Sequence, residues 1–264
     1  MTAVLVVIAI IAYLASALIA LRQLTPGKPQ RQLLVTALAV IGLLAHGGLL
    51  FYLLQADQFD HLNIASSLST VAWLLALLST LRGNKAGSLL LRPVILLFAA
   101  LSTLLLALAP VDWGANLDNK HGLVIHIVLS LVAYGVLALA TLYALQLMYL
   151  NSVLKARKAN VLANYLPPLL TVETYFFRLL TAGCVLLAFA IISGFAFLDN
   201  MLAQAQIHKT VLSILAFVIY AVVLIRHRWR GDRGKAVVIT TVIAGFILTL
   251  AYFGSRFVKD ILLS

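Results

Sequence analysis

Apolar residues in this chain do not alternate with polar ones at a period of two, nor do they form a single stripe at 3.6. They run in eight long blocks, around residues 2–21, 33–54, 64–81, 89–109, 123–150, 176–197, 208–226 and 236–258, separated by short polar connections. A helix rises about 1.5 Å per residue, so about 20 apolar residues cross a hydrocarbon core of about 30 Å. Only helices and closed barrels satisfy every backbone polar group there, and blocks of this length predict helices. The expected fold is all-α: one polytopic bundle of eight transmembrane helices forming a single domain over 1–264. The first block ends near "ASA" (Ala15–Ala17), which resembles a signal-peptidase site. No basic residue precedes it and Arg22 follows it, the reverse of a signal peptide's layout, so it is expected to stay as a span.

Composition agrees with this reading. Of 264 residues, 63% are hydrophobic and 10% charged, with a mean hydropathy of +1.08, too little polar surface to cover a water-soluble globule. The net charge of +11, from 19 Lys and Arg against 8 Asp and Glu, would suggest nucleic acid in a soluble protein. Here its distribution argues otherwise. All the basic residues except Lys120, Lys209, Arg256 and Lys259 fall in or beside the first, third, fifth and seventh connections. The positive-inside rule then puts those connections in the cytoplasm and both termini on the non-cytoplasmic side. The basic excess is expected to orient the spans and to meet anionic lipid headgroups, and no nucleic-acid partner is expected.

The longest connection, about Asn151 to Tyr175, starts with "NSVLKARKAN", which is expected to extend the fifth helix until Pro167 and Pro168 stop it. Thr171 is the expected N-cap of the sixth span, with Glu173 meeting the positive end of the helix dipole.

The reactive inventory is sparse. There is no G-x-S-x-G, no H-E-x-x-H and no phosphate-binding glycine loop, since "RGDRGK" lacks both spacing and strand. Cys184 is the one cysteine and has no redox partner. No carboxylate lies inside a span, which counts against an ion-coupled pump. With no nucleophile beside a base, no enzymatic activity is expected.

Six histidines remain. His61, His121, His126 and His208 fall at or beyond helix ends on the expected outer side, His46 lies within the second span, and His227 lies at the cytoplasmic end of the seventh. Neutral imidazole is an axial ligand for haem iron, and a flat macrocycle suits a cleft between helices. His121 and His126 are five residues apart, about 140° around a helix, so only one can face a given cleft. His126 opens a stripe with Ser130, Ala133, Tyr134, Leu137, Thr141 and Ala144, small or hydroxylated side chains suited to a bundle interior. Gly42, Gly47 and Gly48 flank His46 and leave space for a neighbouring helix or a ring.

Plainer readings stand beside these. His61, His121 and His208 can be interfacial groups, His46 a neutral histidine donating to a carbonyl, and His227 one more member of a basic turn. Trp73, Trp113 and Trp229 read as packing residues or interface anchors.

The stretches "LPPLLTVETYFFRLLTAGCVLLAFAIISG" (Leu166–Gly194), "HIVLSLVAYGVLALATLYALQLMYL" before it and "RHRWRGDRGKAVVITTVIAGFILTLAYFG" near the end resemble the integral-membrane cytochrome c assembly family, of CcsA/HemX type. A weaker match, "LLAHGGLLFYLLQADQFDHLNIASSLSTVAW", carries the resemblance into the first half, and the chain's length is most like that of the family's short bacterial inner-membrane members. The resemblance implies a multi-pass protein of the bacterial inner membrane that handles haem, b-type and held by histidines. By position, His126 resembles the family's external ligand, His227 a histidine near the cytoplasmic end of a haem path, and His46 the histidine of the second span. The family's W-G-x-x-W-x-W-D signature is missing: between the sixth and seventh spans stands "FLDNMLAQAQIHKT", and "DWGANLD" at Asp112 lies in another connection. The family's last external histidine is also absent. These departures imply an accessory in cytochrome c maturation rather than a full synthetase, with other maturation or haem-biosynthesis membrane proteins as partners. The alternative is a regulatory or scaffolding subunit that keeps the fold without haem.

Overall fold

The computed structural model describes residues 2–24, 31–56, 64–83, 87–109, 121–155, 167–197 and 207–254. His61, Trp113 and most of the tryptophan-free stretch after the sixth span lie outside them, as does the side chain of His121. The described residues form eight helices, all long and apolar enough to cross a membrane once the last is counted with the π turn that continues it: α1 (Thr2–Gln23), α2 (Gln32–Ala56), α3 (Ile64–Arg82), α4 (Ser88–Leu108), α5 (His121–Lys155), α6 (Leu169–Phe197), α7 (Ile207–Arg230) and α8 (Lys235–Thr249). The last continues as a π turn, Leu250–Gly254. The architecture is the expected all-α one, with no strand among the described residues.

One boundary differs. α6 starts at Leu169, directly after Pro167 and Pro168, rather than behind a cap at Thr171 or at the apolar block near 176. Thr171 is therefore inside the first turn and caps nothing; its own N–H donates to the Pro168 carbonyl at 3.0 Å. Val172 and Phe176, 0% and 1% exposed, open the buried face that continues through Leu180, Gly183, Leu187 and Ala190 at helical spacing, and a start at Thr171 would have kept both in the helix. The extra residues before them follow the prolines, whose fixed φ suits a helix start. Glu173 is turned instead to Arg233, 3.8 Å away.

The chain divides into two compact units, Met1–Asn116 with Val153–Thr171 and Leu117–Ser152 with Val172–Ser264. In the first, α1 packs on α2 and α4, and α3 packs on α2 and α4, closing a ring of four helices. Lipid tails are as apolar as leucine, so burial alone gives such helices no reason to associate. Close packing of small side chains and hydroxyl bonds across helices do. Ala9, Ala12, Ala17, Ala20, Ala39, Ala72, Ala76, Ala99 and Ala100 line this core. Ser16 Oγ of α1 donates to the Val35 carbonyl of α2 at 2.7 Å. At the end where α2 finishes and α3 begins, Leu49, Leu50, Ala65 and Leu106 form an apolar cluster with Leu5 and Trp73 against it.

In the second unit the register is set by glycines. A Cβ on Gly183 of α6 would stand 2.6 Å from Leu137 Cγ of α5, and one on Gly122 of α5 would stand 2.7 Å from the Phe197 ring of α6. A Cβ on Gly245 of α8 would stand 2.6 Å from Thr141 Oγ1 of α5. Both α6 and α8 thus run antiparallel to α5. Leu137 faces α6, whereas Thr141 and Tyr134 face α8, so the small-residue stripe of α5 is shared between two neighbours.

Candidate functional site

His46 is sealed into the first unit. It, Tyr13 and Ser69 are each 0% exposed, although they come from three different helices. Nε2 lies 2.7 Å from Ser69 Oγ, a short bond, and Nδ1 lies 3.4 Å from the Tyr13 hydroxyl, a long one. The Tyr13 ring meets the imidazole edge-on, with centroids 5.8 Å apart. The space beside two of the three flanking glycines is filled from within the chain. Tyr13 covers Gly42, where a Cβ would meet its ring at 2.7 Å, and the Trp73 indole covers Gly47 at 3.1 Å. Trp73 Nε1 donates to the Leu43 carbonyl at 2.9 Å, so Trp73 is the packing residue that its position suggests. Both partners of the imidazole are hydroxyls rather than the carbonyl of the plainer reading, and iron could bind His46 only if one of them left. Replacing Ser69 by alanine removes the shorter bond and is expected to lower stability by about 0.6 kcal/mol, the usual worth of an interhelical hydrogen bond in a membrane. Unfolding in mixed micelles measures it. If His46 is a ligand, the same change raises hemin affinity, because Nε2 is released.

His126 is arranged differently. Its Nδ1 lies 3.0 Å from the Ala190 carbonyl and 3.0 Å from Ser193 Oγ, both on α6. Ser193 Oγ itself donates to the same Ala190 carbonyl at 2.8 Å. A carbonyl only accepts, so Nδ1 carries the proton and, in the neutral ring, Nε2 keeps the lone pair. Among the described residues, every polar contact of His126 falls on Nδ1. The half-buried ring is thus fixed in orientation with a bare σ-donor nitrogen, which is how proteins present imidazole to a metal.

His227, near the end of α7, repeats the pattern. Its Nδ1 donates to the Asp232 carbonyl at 2.9 Å, and its ring lies on Phe177 of α6, centroids 3.4 Å apart and planes 11° from parallel. The turn that brings Asp232 back depends on glycine: Gly231 has φ 68° and donates its N–H to the His227 carbonyl at 3.0 Å, ending the helix in a left-handed cap. Arg226 Nε holds the Asp232 carboxylate at 2.7 Å. His227 is a positioned ring, not simply a solvated member of the basic turn. Trp229 beside it is 83% exposed, as suits an interface anchor.

The two rings do not share an iron. His126 sits against Ala190 and His227 against Phe177, thirteen residues apart on one helix, or about 20 Å. His208, at the start of α7, is exposed. Among the described residues no three His, Cys, Asp or Glu side chains gather to hold a bare metal ion. A macrocycle with its own four nitrogens needs only an axial ligand, and the His126 cradle fits that requirement. Ser69, Tyr13 and Ser193 escape sequence reasoning. Only the serine-rich start of α3 and a tyrosine in mid-span hint at two of them.

Residues 34–263 match the family model described as Cytochrome C assembly protein. The chain is 34% identical over 226 residues to the inner membrane protein YpjD of Escherichia coli strain K12, covering 85% of this chain and 86% of that one. It is 32% identical over 211 residues to a protein of Azospirillum brasilense named as an uncharacterized 28.8 kDa protein in the nifR3-like 5′ region, covering 75% of this chain and 77% of that one. No solved structure matches the chain.

Proposed function

Because the chain belongs to the cytochrome c assembly family, we propose that it binds haem within the membrane and serves cytochrome c maturation as an accessory, without making the covalent bond itself. It is a multi-pass protein of the bacterial inner membrane, with eight membrane-spanning helices and a relative of that location. Family membership supports a role in cytochrome c maturation. The observation that carries the haem reading is the His126 cradle, in which Ala190 and Ser193 fix Nδ1 and leave Nε2 open. His227 offers a second, separate imidazole of the same kind, and His46 a third that must first break its bond to Ser69. When bound, a b-type haem supplies an iron that takes an axial nitrogen. The chain's own residues orient that nitrogen and keep the second ring nitrogen protonated. No covalent step is assigned to the chain: the Ser193 hydroxyl beside His126 faces the protonated Nδ1 and gives its own proton to the Ala190 carbonyl, so the imidazole is not placed to act on it as a base.

The test is the absorption spectrum of the full chain, purified in detergent and loaded with hemin. A Soret band of a nitrogen-ligated haem at a stoichiometry near one supports the reading, and a spectrum equal to that of hemin in empty micelles overturns it.

A second reading is favoured by the sealed His46 and by the missing tryptophan signature: a regulatory or scaffolding subunit that retains the fold without haem. It predicts no stoichiometric haem and a membrane partner whose capture is lost when the exposed Arg228, Arg230 and Lys235 are neutralised.

A further inference from the structure

Where α8 ends, three aromatic rings gather against α5. Tyr134 and Tyr252 stack with centroids 5.3 Å apart and planes at 28°, and Phe253 meets Tyr134 edge-on at 5.4 Å and 72°. Tyr252 and Phe253 are themselves 5.4 Å apart. Neighbouring residues in an α-helix point about 100° apart, too far for both to reach one ring easily. Tyr252 and Phe253 both lie in the π turn Leu250–Gly254, where the winding departs from that of an α-helix. Such turns are rare and occur frequently at functional sites.

The Tyr134 ring is held in place by its hydroxyl. Thr249 Oγ1 donates to the Gly245 carbonyl at 2.8 Å, so its one proton is committed. The Tyr134 hydroxyl, 3.0 Å away, therefore donates to Thr249. The three residues are half-buried, so each keeps some exposed surface. Interface anchors of the aromatic belt need none of this: no mutual stacking, no locked hydroxyl and no break in helical winding.

The cluster lies at the same end of the second unit as His126. On α5, Tyr134 is two turns beyond it, about 12 Å along the axis and about 80° around. We infer that Tyr134, Tyr252 and Phe253 form a stacking surface for the plane of a conjugated tetrapyrrole, the ligand class whose metal His126 would take. The inference rests on the haem-binding reading and adds to it the residues that hold the macrocycle rather than the iron. Stacking needs no metal, so iron-free porphyrin separates the two contributions.

The experiment titrates the full chain in detergent with hemin, followed by the Soret band, and with protoporphyrin IX, followed by fluorescence. The Tyr252→Leu/Phe253→Leu variant is expected to bind protoporphyrin IX about tenfold more weakly, the loss expected for two ring contacts. Tyr252→Phe, which keeps the ring, is expected to bind as the parent does. Thr249→Val, which keeps all three rings but releases the Tyr134 hydroxyl, is expected to weaken binding about threefold and serves if the double variant does not fold. His126→Ala is expected to weaken hemin and leave protoporphyrin IX unchanged. The stacking surface is overturned if the folded double variant, or Thr249→Val in its place, binds protoporphyrin IX as tightly as the parent. If the parent binds hemin through His126 but takes up no iron-free porphyrin, this inference fails alone. If it binds neither, both readings fail together.

Discussion

Loaded with hemin, the His126→Ala protein is expected to lose the nitrogen-ligated Soret band and to hold haem at least about 100-fold more weakly than the parent. The magnitude follows from what orienting groups are worth: removing only the group that orients a ligating histidine costs about 10- to 100-fold in metal affinity, and removing the ligand itself costs no less. Ser193→Ala is expected to fall in that smaller range, because the Ala190 carbonyl still holds Nδ1 at 3.0 Å. His227→Ala is expected to leave this band unchanged, since about 20 Å of α6 separates the two rings. The fold is expected to survive His126→Ala, which forfeits a half-buried hydrogen bond of about 1 kcal/mol. Titration of the three variants with hemin, alongside their unfolding midpoints, reads all of this. An unaltered spectrum in His126→Ala rules out His126 as the axial ligand.

Gly183→Val is expected to be the most damaging single change to the second unit, destabilising it by about 3 kcal/mol. Its first added carbon would lie 2.6 Å from Leu137 Cγ and 3.3 Å from the Leu137 backbone nitrogen. A side chain can rotate away, but a backbone nitrogen inside a helix cannot, so α5 and α6 must separate. That separation loosens the same pair of helices that holds His126 against Ala190, and hemin affinity is expected to fall with stability. Gly48→Ala is the contrast. Its nearest neighbour is Leu5 Cδ1 at 4.0 Å, and the helix gains about 1 kcal/mol of propensity. Unfolding of both variants in mixed micelles distinguishes a packing contact from a merely permissive glycine. Equal midpoints for Gly183→Val and the parent would mean that the two helices are not in this register.

Much of the fold is legible in the sequence because each span is a long local property. Seven of the eight helix starts are expected within about three residues of where they occur, and the exception is instructive. At Thr171 and Glu173 two polar residues imitate a helix start, yet α6 already begins at Leu169, directly after the two prolines. The proline pair marked the start, and cap chemistry obscured it. At the candidate site the sequence singles out His126 by its place on a small-residue stripe but offers nothing about its partner. A backbone carbonyl has no residue-specific signature, so Ala190 looks like any other apolar position. The glycines around His46 show the converse. They mark a space in advance but do not say what fills it, and the occupants are Tyr13 and Trp73 from other helices. The π turn leaves no trace in the hydropathy pattern, because it changes the winding and not the composition.

By itself, the sequence determined the solvent, the number of spans and the scarcity of reactive groups, because hydropathy and residue inventory are summed along the chain and need no partner. The tertiary structure decided which imidazole nitrogens are engaged and which is open, since that depends on atoms from helices distant in sequence. His46 is sealed by hydroxyls from α1 and α3, and His126 is aimed by a carbonyl of α6. The chemical difference between these two histidines arises only when helices pack.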